Sequence, residues 1–231
     1  MHWSVFTLPS FWRMVPLQGA SDQIVAEERF KPGVLPELLR TASANPSPWI
    51  AQSRLSEALA LLAFTSAQEA VQRTTSDDAD GEAKAAATKL RAAIALAPQS
   101  PFLWVLLYSA ETMQNGFDVG QLAYVRVSYA LGPNEGWIAM RRNRLSLAVF
   151  SALDARMQEA VINEFAELVD SGFVDAAAMN LLTVGWPQKD RLLNGLSEVD
   201  IAAKTSLGRR LSAEGIKVRL PGIEYHERPW W

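Results

Sequence analysis

Ala86-Ala-Thr-Lys-Leu-Arg-Ala-Ala-Ile-Ala-Leu-Ala-Pro-Gln-Ser-Pro-Phe-Leu-Trp-Val-Leu-Leu107 is the stretch of this chain that decides its fold. Ala86, Leu90 and Ala93 recur at the spacing of one face of an α-helix. Pro98 interrupts that helix, and helical apolar spacing resumes after it. The stretch therefore predicts two consecutive helices joined by a short turn.

The same stretch resembles the second helix of a tetratricopeptide (TPR) repeat followed by the first helix of the next repeat. In that family small residues let two helices approach closely, and a proline starts the next turn. Trp104 and Leu107 stand where the next repeat would carry its own Trp and Leu. The resemblance implies these repeat-packing positions: Ala86, Leu90, Ala93, Pro98, Trp104, Leu107, Pro133 and Trp137.

A second, looser unit follows. Ser128-Tyr-Ala-Leu-Gly-Pro133 echoes Ala93-Ile-Ala-Leu-Ala-Pro98, but Gln121 replaces a small residue of the pattern. Tyr108 and Glu111 stand where the family carries Gly and Tyr. The units are therefore degenerate TPR-like repeats, and a bundle of unrelated helices is the alternative.

The rest of the body also has helical rather than alternating apolar spacing, from Ser21 to about Gly215. One predicted helix begins near Asp154 and ends at Ser171-Gly172, and its buried stripe is expected to be Met157, Val161, Phe165 and Leu168. The polar, acidic run at 72–82 predicts a mobile loop between two helices. We predict an all-α fold, a short TPR-like solenoid of antiparallel helix hairpins. Its parts are TPR-like repeats at 21–171, a C-terminal helical cap at 172–215 and an extended Trp-rich tail at 216–231.

The N-terminal segment is aromatic and apolar, but prolines and Arg13 interrupt it. No window in it reaches the roughly 20 apolar residues that span a bilayer. Trp3, Phe11 and Trp12 resemble the aromatic flank of a membrane helix. We expect residues 1–20 to be either an aromatic arm packed on the domain or the remnant of a membrane anchor.

Composition argues against several classes of function. The 231 residues include 22 Lys and Arg against 25 Asp and Glu, a net charge of −3, so we expect no nucleic-acid partner. The chain has no Cys, and His2 and His226 lie near its ends, far from any second ligand at helical spacing. We therefore expect no metal site, no cofactor, no catalytic residues and no enzymatic activity.

Arginines and carboxylates cluster on successive predicted helices. Arg126, Arg141 and Arg144 precede an acidic run that contains Glu164 and Glu167. The two helices could pair through surface charges, or the arginines could face a groove and hold a carboxylate- or phosphate-bearing partner. Glu164 and Glu167 could in principle serve a glycan hydrolase, although we expect a Glu-rich helix face to be solvated.

The C-terminal tail carries an aromatic tip. Tyr225, Trp230 and Trp231 offer large ring surfaces of the kind found at binding hot spots. They could dock on the chain's own body or on a partner. We therefore add them to Arg126, Arg141 and Arg144 as candidate partner-binding residues.

Four phrases carry a second resemblance: Leu8-Pro-Ser-Phe-Trp-Arg13, Arg29-Phe-Lys-Pro-Gly-Val-Leu35, Ser100-Pro-Phe-Leu-Trp104 and Tyr129-Ala-Leu-Gly-Pro-Asn-Glu135. They are similar to small proteobacterial proteins of exopolysaccharide or O-antigen gene clusters. In that group a membrane anchor precedes a helical-repeat body outside the cytoplasm. The resemblance implies a periplasmic or inner-membrane-associated protein; without it, we expect a cytoplasmic one.

The repeat pattern and this resemblance together lead to an expected function. We expect a non-enzymatic protein–protein interaction scaffold that supports a cell-envelope polysaccharide synthesis or export complex. The partner would then be a protein of membrane polysaccharide machinery, reached through association of the N-terminus with the membrane. The alternative is direct binding of a glycan or anionic polymer through Trp, Tyr and Arg residues in the groove.

Overall fold

The computed structural model describes residue 19 and residues 34–43, 52–73, 77–132 and 135–223. Across these residues the chain forms helices and connecting turns and no strand, which confirms the all-α prediction for them. The chain divides into two compact units, Met1–Leu131 and Gly132–Trp231. No helix in the described ranges has both the length and the apolar character needed to cross a membrane.

The first unit is a series of helices that pack in sequence order. Its helices are α1 (Val34–Ser43), α2 (Gln52–Arg73), α3 (Asp77–Leu96), α4 (Pro101–Asn115) and α5 (Leu122–Leu131). Each of the first four packs against the next helix of this unit, and α2 also contacts α4. Connections this short make neighbouring helices antiparallel.

The small-residue face of α3 lies in the core of the first unit. Ala86, Leu90 and Ala93 are completely buried, and α3 packs against both α2 and α4. Leu107 of α4 is buried as well, whereas Pro98 is exposed and Trp104 is half-buried. Small side chains in this position let three helices approach one another closely.

The connection between α2 and α3 is shorter than predicted. Helix α2 continues to Arg73 and α3 begins at Asp77, so most of the predicted loop at 72–82 is helical. The acidic residues of this run suit the first turns of α3, because carboxylates are favourable near a helix N-terminus. Residues 74–76 lie outside the described residues.

The described residues of the second unit form five further α-helices. They are α6 (Gly136–Ala148), α7 (Ala155–Asp170), α8 (Val174–Asn180), α9 (Lys189–Asn194) and α10 (Ile201–Ala213). One π-helical turn, Leu181–Gly185, and one 3-10 turn, Trp186–Gln188, join α8 to α9. Helix α7 packs against α6, α8, α9 and α10, and α10 packs against α8.

Helix α7 has the boundaries and the apolar face that its sequence predicts. The Asp154 side chain caps it by accepting from the Met157 amide at 2.9 Å. It ends before Gly172, whose φ of 83° lies in the left-handed region that glycine favours. The predicted stripe is buried throughout: Met157, Val161, Phe165 and Leu168.

One boundary and the burial of one side chain differ from the prediction. The units divide after Leu131 rather than after residue 171, because α7 packs against the helices that follow it. Trp137, expected in the core, is 40% exposed, whereas Ile138 and Ala139 in the same turn of α6 are buried. Pro133, residues 1–18 and the aromatic tip at 224–231 lie outside the described residues.

Candidate functional site

The three arginines proposed from sequence lie on two helices. Arg126 is exposed on α5 of the first unit, whereas Arg141 and Arg144 lie on α6 of the second unit. Arg141 is half-buried and Arg144 is exposed. Because they are three residues apart, Arg141 and Arg144 share one face of α6. Tyr225, Trp230 and Trp231, proposed with them, lie outside the described residues.

The neighbouring Arg142 is buried and belongs to the core of the second unit. Its Nε donates to Oε1 of Glu164 on α7 at 2.8 Å, and its Nη2 donates to the same oxygen at 2.5 Å. The two side chains are only 1% and 2% exposed. The prediction that Glu164 lies on a solvated face is therefore wrong, because packing of α6 on α7 buries both charges.

A polar layer continues from this ion pair through the core. Asn143 Nδ2 donates to the Val161 carbonyl at 2.9 Å. Asn180 Nδ2, on α8, donates to the Met140 carbonyl at 3.2 Å and to Asn143 Oδ1 at 3.3 Å. These bonds satisfy buried amides that would otherwise be costly, and they fix α6, α7 and α8 against one another.

The carboxylates considered for hydrolysis lie in opposite environments. Glu164 is buried against Arg142, whereas Glu167 is exposed. Asp170, also exposed, accepts from the Asp200 amide at 3.0 Å and so holds the start of α10. A substrate cannot reach Glu164 while the core is closed. The described part of the chain contains no group of three His, Cys, Asp or Glu residues that could hold a metal ion.

An aromatic pair lies at the surface of the first unit. The rings of Trp104 on α4 and Tyr124 on α5 are stacked, with centroids 6.0 Å apart and planes inclined by 27°. Both side chains are half-buried, and Trp104 Nε1 donates to the Pro98 carbonyl at 2.9 Å. Such rings can contact a sugar or an apolar side chain. Sequence reasoning placed Trp104 in the core and did not single out Tyr124.

A polar seam joins α3 and α4 in the same unit. Glu111 is buried, forms an ion pair with Arg91 and accepts from Asn115 Nδ2 at 3.1 Å. Burial raises the pKa of the Tyr108 hydroxyl, and a hydrogen bond with Thr112 partly opposes that shift. These groups are bonded within their own unit and so stabilise its helix packing.

The end of the second unit is basic. From residue 201 to 223 the chain carries five Lys and Arg residues against one acidic residue. Lys217 and Arg219 are exposed, whereas Ile216 and Val218 are half-buried and Leu220 is buried. We call residues 216–223 the basic strap. Sequence reasoning missed its two cations, although the apolar-basic alternation of residues 216–220 is legible in the sequence.

The basic strap runs back along α10. The Ile216 amide donates to the Leu211 carbonyl at 3.0 Å, near the end of α10. At the other end of the strap, a Cβ atom added to Gly222 would lie 3.7 Å from Lys204 Nζ. Lys204 is only 3% exposed, and its Nζ donates to the Ser197 carbonyl at 3.3 Å. The strap therefore passes from the end of α10 to a buried ammonium group near its start.

Comparison with known proteins adds no assignment. No protein family matches the chain, and neither a curated protein nor a solved structure matches it. Function is therefore inferred from the residues and contacts described above.

Proposed function

We propose that this chain is a non-enzymatic protein–protein interaction scaffold whose helices form a short TPR-like solenoid. The observation that carries the proposal is the complete burial of Ala86, Leu90 and Ala93 where α3 meets α2 and α4. These are the positions that the repeat pattern assigns to helix packing. Stacked helix pairs of this kind present an extended surface, and such surfaces commonly bind peptide segments or helices of other proteins.

The contacts of the buried carboxylates support a binding role over a catalytic one. Glu164, the buried member of the candidate acid–base pair, is bonded to Arg142 in the core. Buried Glu111 is likewise bonded to Arg91 and Asn115. Groups committed to holding helices together are poorly placed to transfer protons to a substrate.

We also propose that the partner is membrane-associated polysaccharide synthesis or export machinery, met in the periplasm or at the inner membrane. This assignment is supported by the sequence phrases given above and by no contact in the structure. Its test is affinity capture from a membrane extract of the native host, with the full chain and a chain ending at Pro221 as baits. Enrichment of a polysaccharide synthesis or export protein by the full chain is expected. No such enrichment from either bait would contradict the assignment.

A second candidate is direct binding of a glycan or anionic polymer. The half-exposed stack of Trp104 on Tyr124 favours it, because a sugar ring can lie against such a surface. Arg141 and Arg144, which share a face of α6, would serve an anionic polymer in the second unit. Titration with alginate tests this candidate by calorimetry. Affinity unchanged by Trp104→Leu and by Arg141→Ala with Arg144→Ala would rule it out.

A further inference from the structure

The basic strap contains a stretch of backbone that lies between two hydrogen-bonded points. Ile216 is bonded to Leu211, and the Ile223 amide donates to the Leu220 carbonyl at 3.3 Å. Between these points, no backbone group in the described ranges forms a hydrogen bond with the backbone of residues 217–219. Peptide groups of this kind can pair with the backbone of an added strand.

The side chains of the strap alternate as they do in an extended chain. The apolar side chains are half-buried at Ile216 and Val218 and buried at Leu220. The basic side chains of Lys217 and Arg219 are exposed. In an extended chain, residues two apart lie on one face, about 7 Å from each other. Lys217 and Arg219 therefore present two cations at strand spacing on the outer face.

The charge around the strap is strongly unbalanced. The only acidic residue between 201 and 223 is Glu214, and it already accepts from Arg210. Arg210 also pairs with Asp175. No ion pair among the described residues includes Lys217 or Arg219. This excess of positive charge occurs in a chain whose net charge is −3. A partner segment with negative charge would complement it.

We propose that the basic strap binds an extended acidic segment of a partner protein by strand addition. The segment pairs its backbone with residues 217–219 and places alternate carboxylates against Lys217 and Arg219. The geometry favours this occupant because alternate residues of a strand repeat at the same spacing of about 7 Å. The inference rests on the proposed scaffold function and names the chemistry of its partner.

Two other anionic occupants fit the strap less well. A membrane surface would need fully exposed apolar side chains beside the cations, but Ile216 and Val218 are half-buried and Leu220 is buried. An acidic polysaccharide has no peptide backbone to pair with residues 217–219. Both occupants are included as arms of the test.

The test is fluorescence anisotropy of the full chain with a labelled peptide in which Glu alternates with Thr. Binding is expected, with at least a tenfold loss of affinity in the Lys217→Glu, Arg219→Glu double variant. The charge-matched control is Arg54→Glu with Arg156→Glu, since both arginines are exposed and far from the strap in sequence. The control should lose less than twofold, and a loss equal to that of the strap variant would contradict the proposal. Thermal unfolding should be alike in both variants.

The contribution of the backbone is tested on the ligand, which leaves the protein unchanged. Two further peptides carry N-methyl groups either on the Thr residues or on the Glu residues, so that each keeps its charges but loses the amide donors of one edge. At least one of them should bind tenfold more weakly, and affinity equal to that of the parent peptide for both would overturn strand addition. Alginate and vesicles of phosphatidylserine and phosphatidylcholine are titrated in parallel. Strand addition would also be overturned if either bound more tightly than the peptide and lost that binding in the Lys217→Glu, Arg219→Glu variant.

Failure of the strap inference can be distinguished from failure of the scaffold proposal. If affinity capture enriches the expected machinery but the peptide fails to bind, the strap inference is wrong and the scaffold proposal stands. If the peptide binds as described but no partner is captured, the strap inference stands and the polysaccharide assignment is wrong.

Discussion

Arg142 on α6 and Glu164 on α7 form an ion pair inside the second unit, with both side chains almost completely buried. Each charge lost its hydration on folding, and the pair recovers that loss only while both partners are present. Asn143 and Asn180 extend the polar layer to α8. The layer therefore fixes α6, α7 and α8 against one another, and we expect single substitutions in it to lower the free energy of unfolding.

Removing one partner of the ion pair should destabilise the chain strongly. Glu164→Gln leaves the Arg142 charge buried without its counter-ion, so we expect the free energy of unfolding to fall by about 3 kcal/mol. Glu167→Gln is the matched control, because Glu167 is exposed on the same helix and should change stability by less than about 0.5 kcal/mol. Urea denaturation followed by circular dichroism measures both. Equal effects of the two substitutions would contradict the buried position of Glu164.

Replacing both partners should cost less than removing one. Arg142→Met with Glu164→Leu eliminates both buried charges and fills similar volume, which in other proteins is neutral or stabilising. We expect the double variant to be more stable than Glu164→Gln in the same urea titration. A double variant that is the less stable of the two would show that the ion pair is indispensable to the packing of α6 on α7.

The small residues of α3 should tolerate no enlargement. Ala86→Leu inserts a larger side chain where α3 packs closely, and we expect a loss of about 1–3 kcal/mol. Ala92→Leu is the control on the same helix, since Ala92 is exposed and leucine is a good helix former. The comparison is made by thermal and urea unfolding. A neutral Ala86→Leu would remove the main support for repeat-like packing.

Two glycines should respond to alanine with opposite signs. Gly81 lies inside α3 with open space around a Cβ atom, so Gly81→Ala should stabilise by roughly 0.5–1 kcal/mol. Gly172 has a φ of +83°, so Gly172→Ala should destabilise by a similar amount. The shift in urea midpoint measures both. A destabilising Gly81→Ala would instead indicate that residues 77–82 form the loop predicted from sequence.

Alkaline pH should weaken the first unit through Tyr108. Burial raises the pKa of this hydroxyl above its usual 10.0 in the folded chain. A pKa raised in the folded state favours the neutral form, so its contribution to stability is complete below pH 10 and declines as pH rises through the folded pKa. Tyr108→Phe should therefore lose less stability than the parent chain between pH 9 and pH 11, measured by urea denaturation. Equal losses would contradict the assignment.

Local features of the fold could be predicted from the sequence, whereas contacts between helices could not. The start of α7 near Asp154 and the buried stripe from Met157 to Leu168 depend on neighbouring residues, and both were predicted. The burial of Glu164 depends on Arg142 across a helix interface, and a charge pattern alone cannot distinguish it from a surface pair. Trp137 was misplaced for the same reason, because tertiary packing decides which side of α6 is buried and spacing near a single tryptophan does not.

The candidate sites likewise divide into features that the sequence indicates and features that only the structure supplies. Arg141 and Arg144 could be placed on one face because helical spacing fixes it. The stack of Trp104 on Tyr124 joins two helices and had no signal in the sequence. The alternation of residues 216–220 was readable, but its meaning depends on the burial of Leu220, which only the structure supplies.

The central claim is that the helical body binds a protein partner, and site-specific photo-crosslinking in the native host tests it most directly. A benzophenone amino acid replaces Gln68 on α2 or Met113 on α4, both half-exposed, with Arg156 on α7 as the exposed control position. We expect one discrete crosslinked protein from Gln68 or Met113, identified as polysaccharide synthesis or export machinery, and a different pattern or none from Arg156. No crosslinked protein at Gln68 and Met113, or the same products at all three positions, would contradict the scaffold.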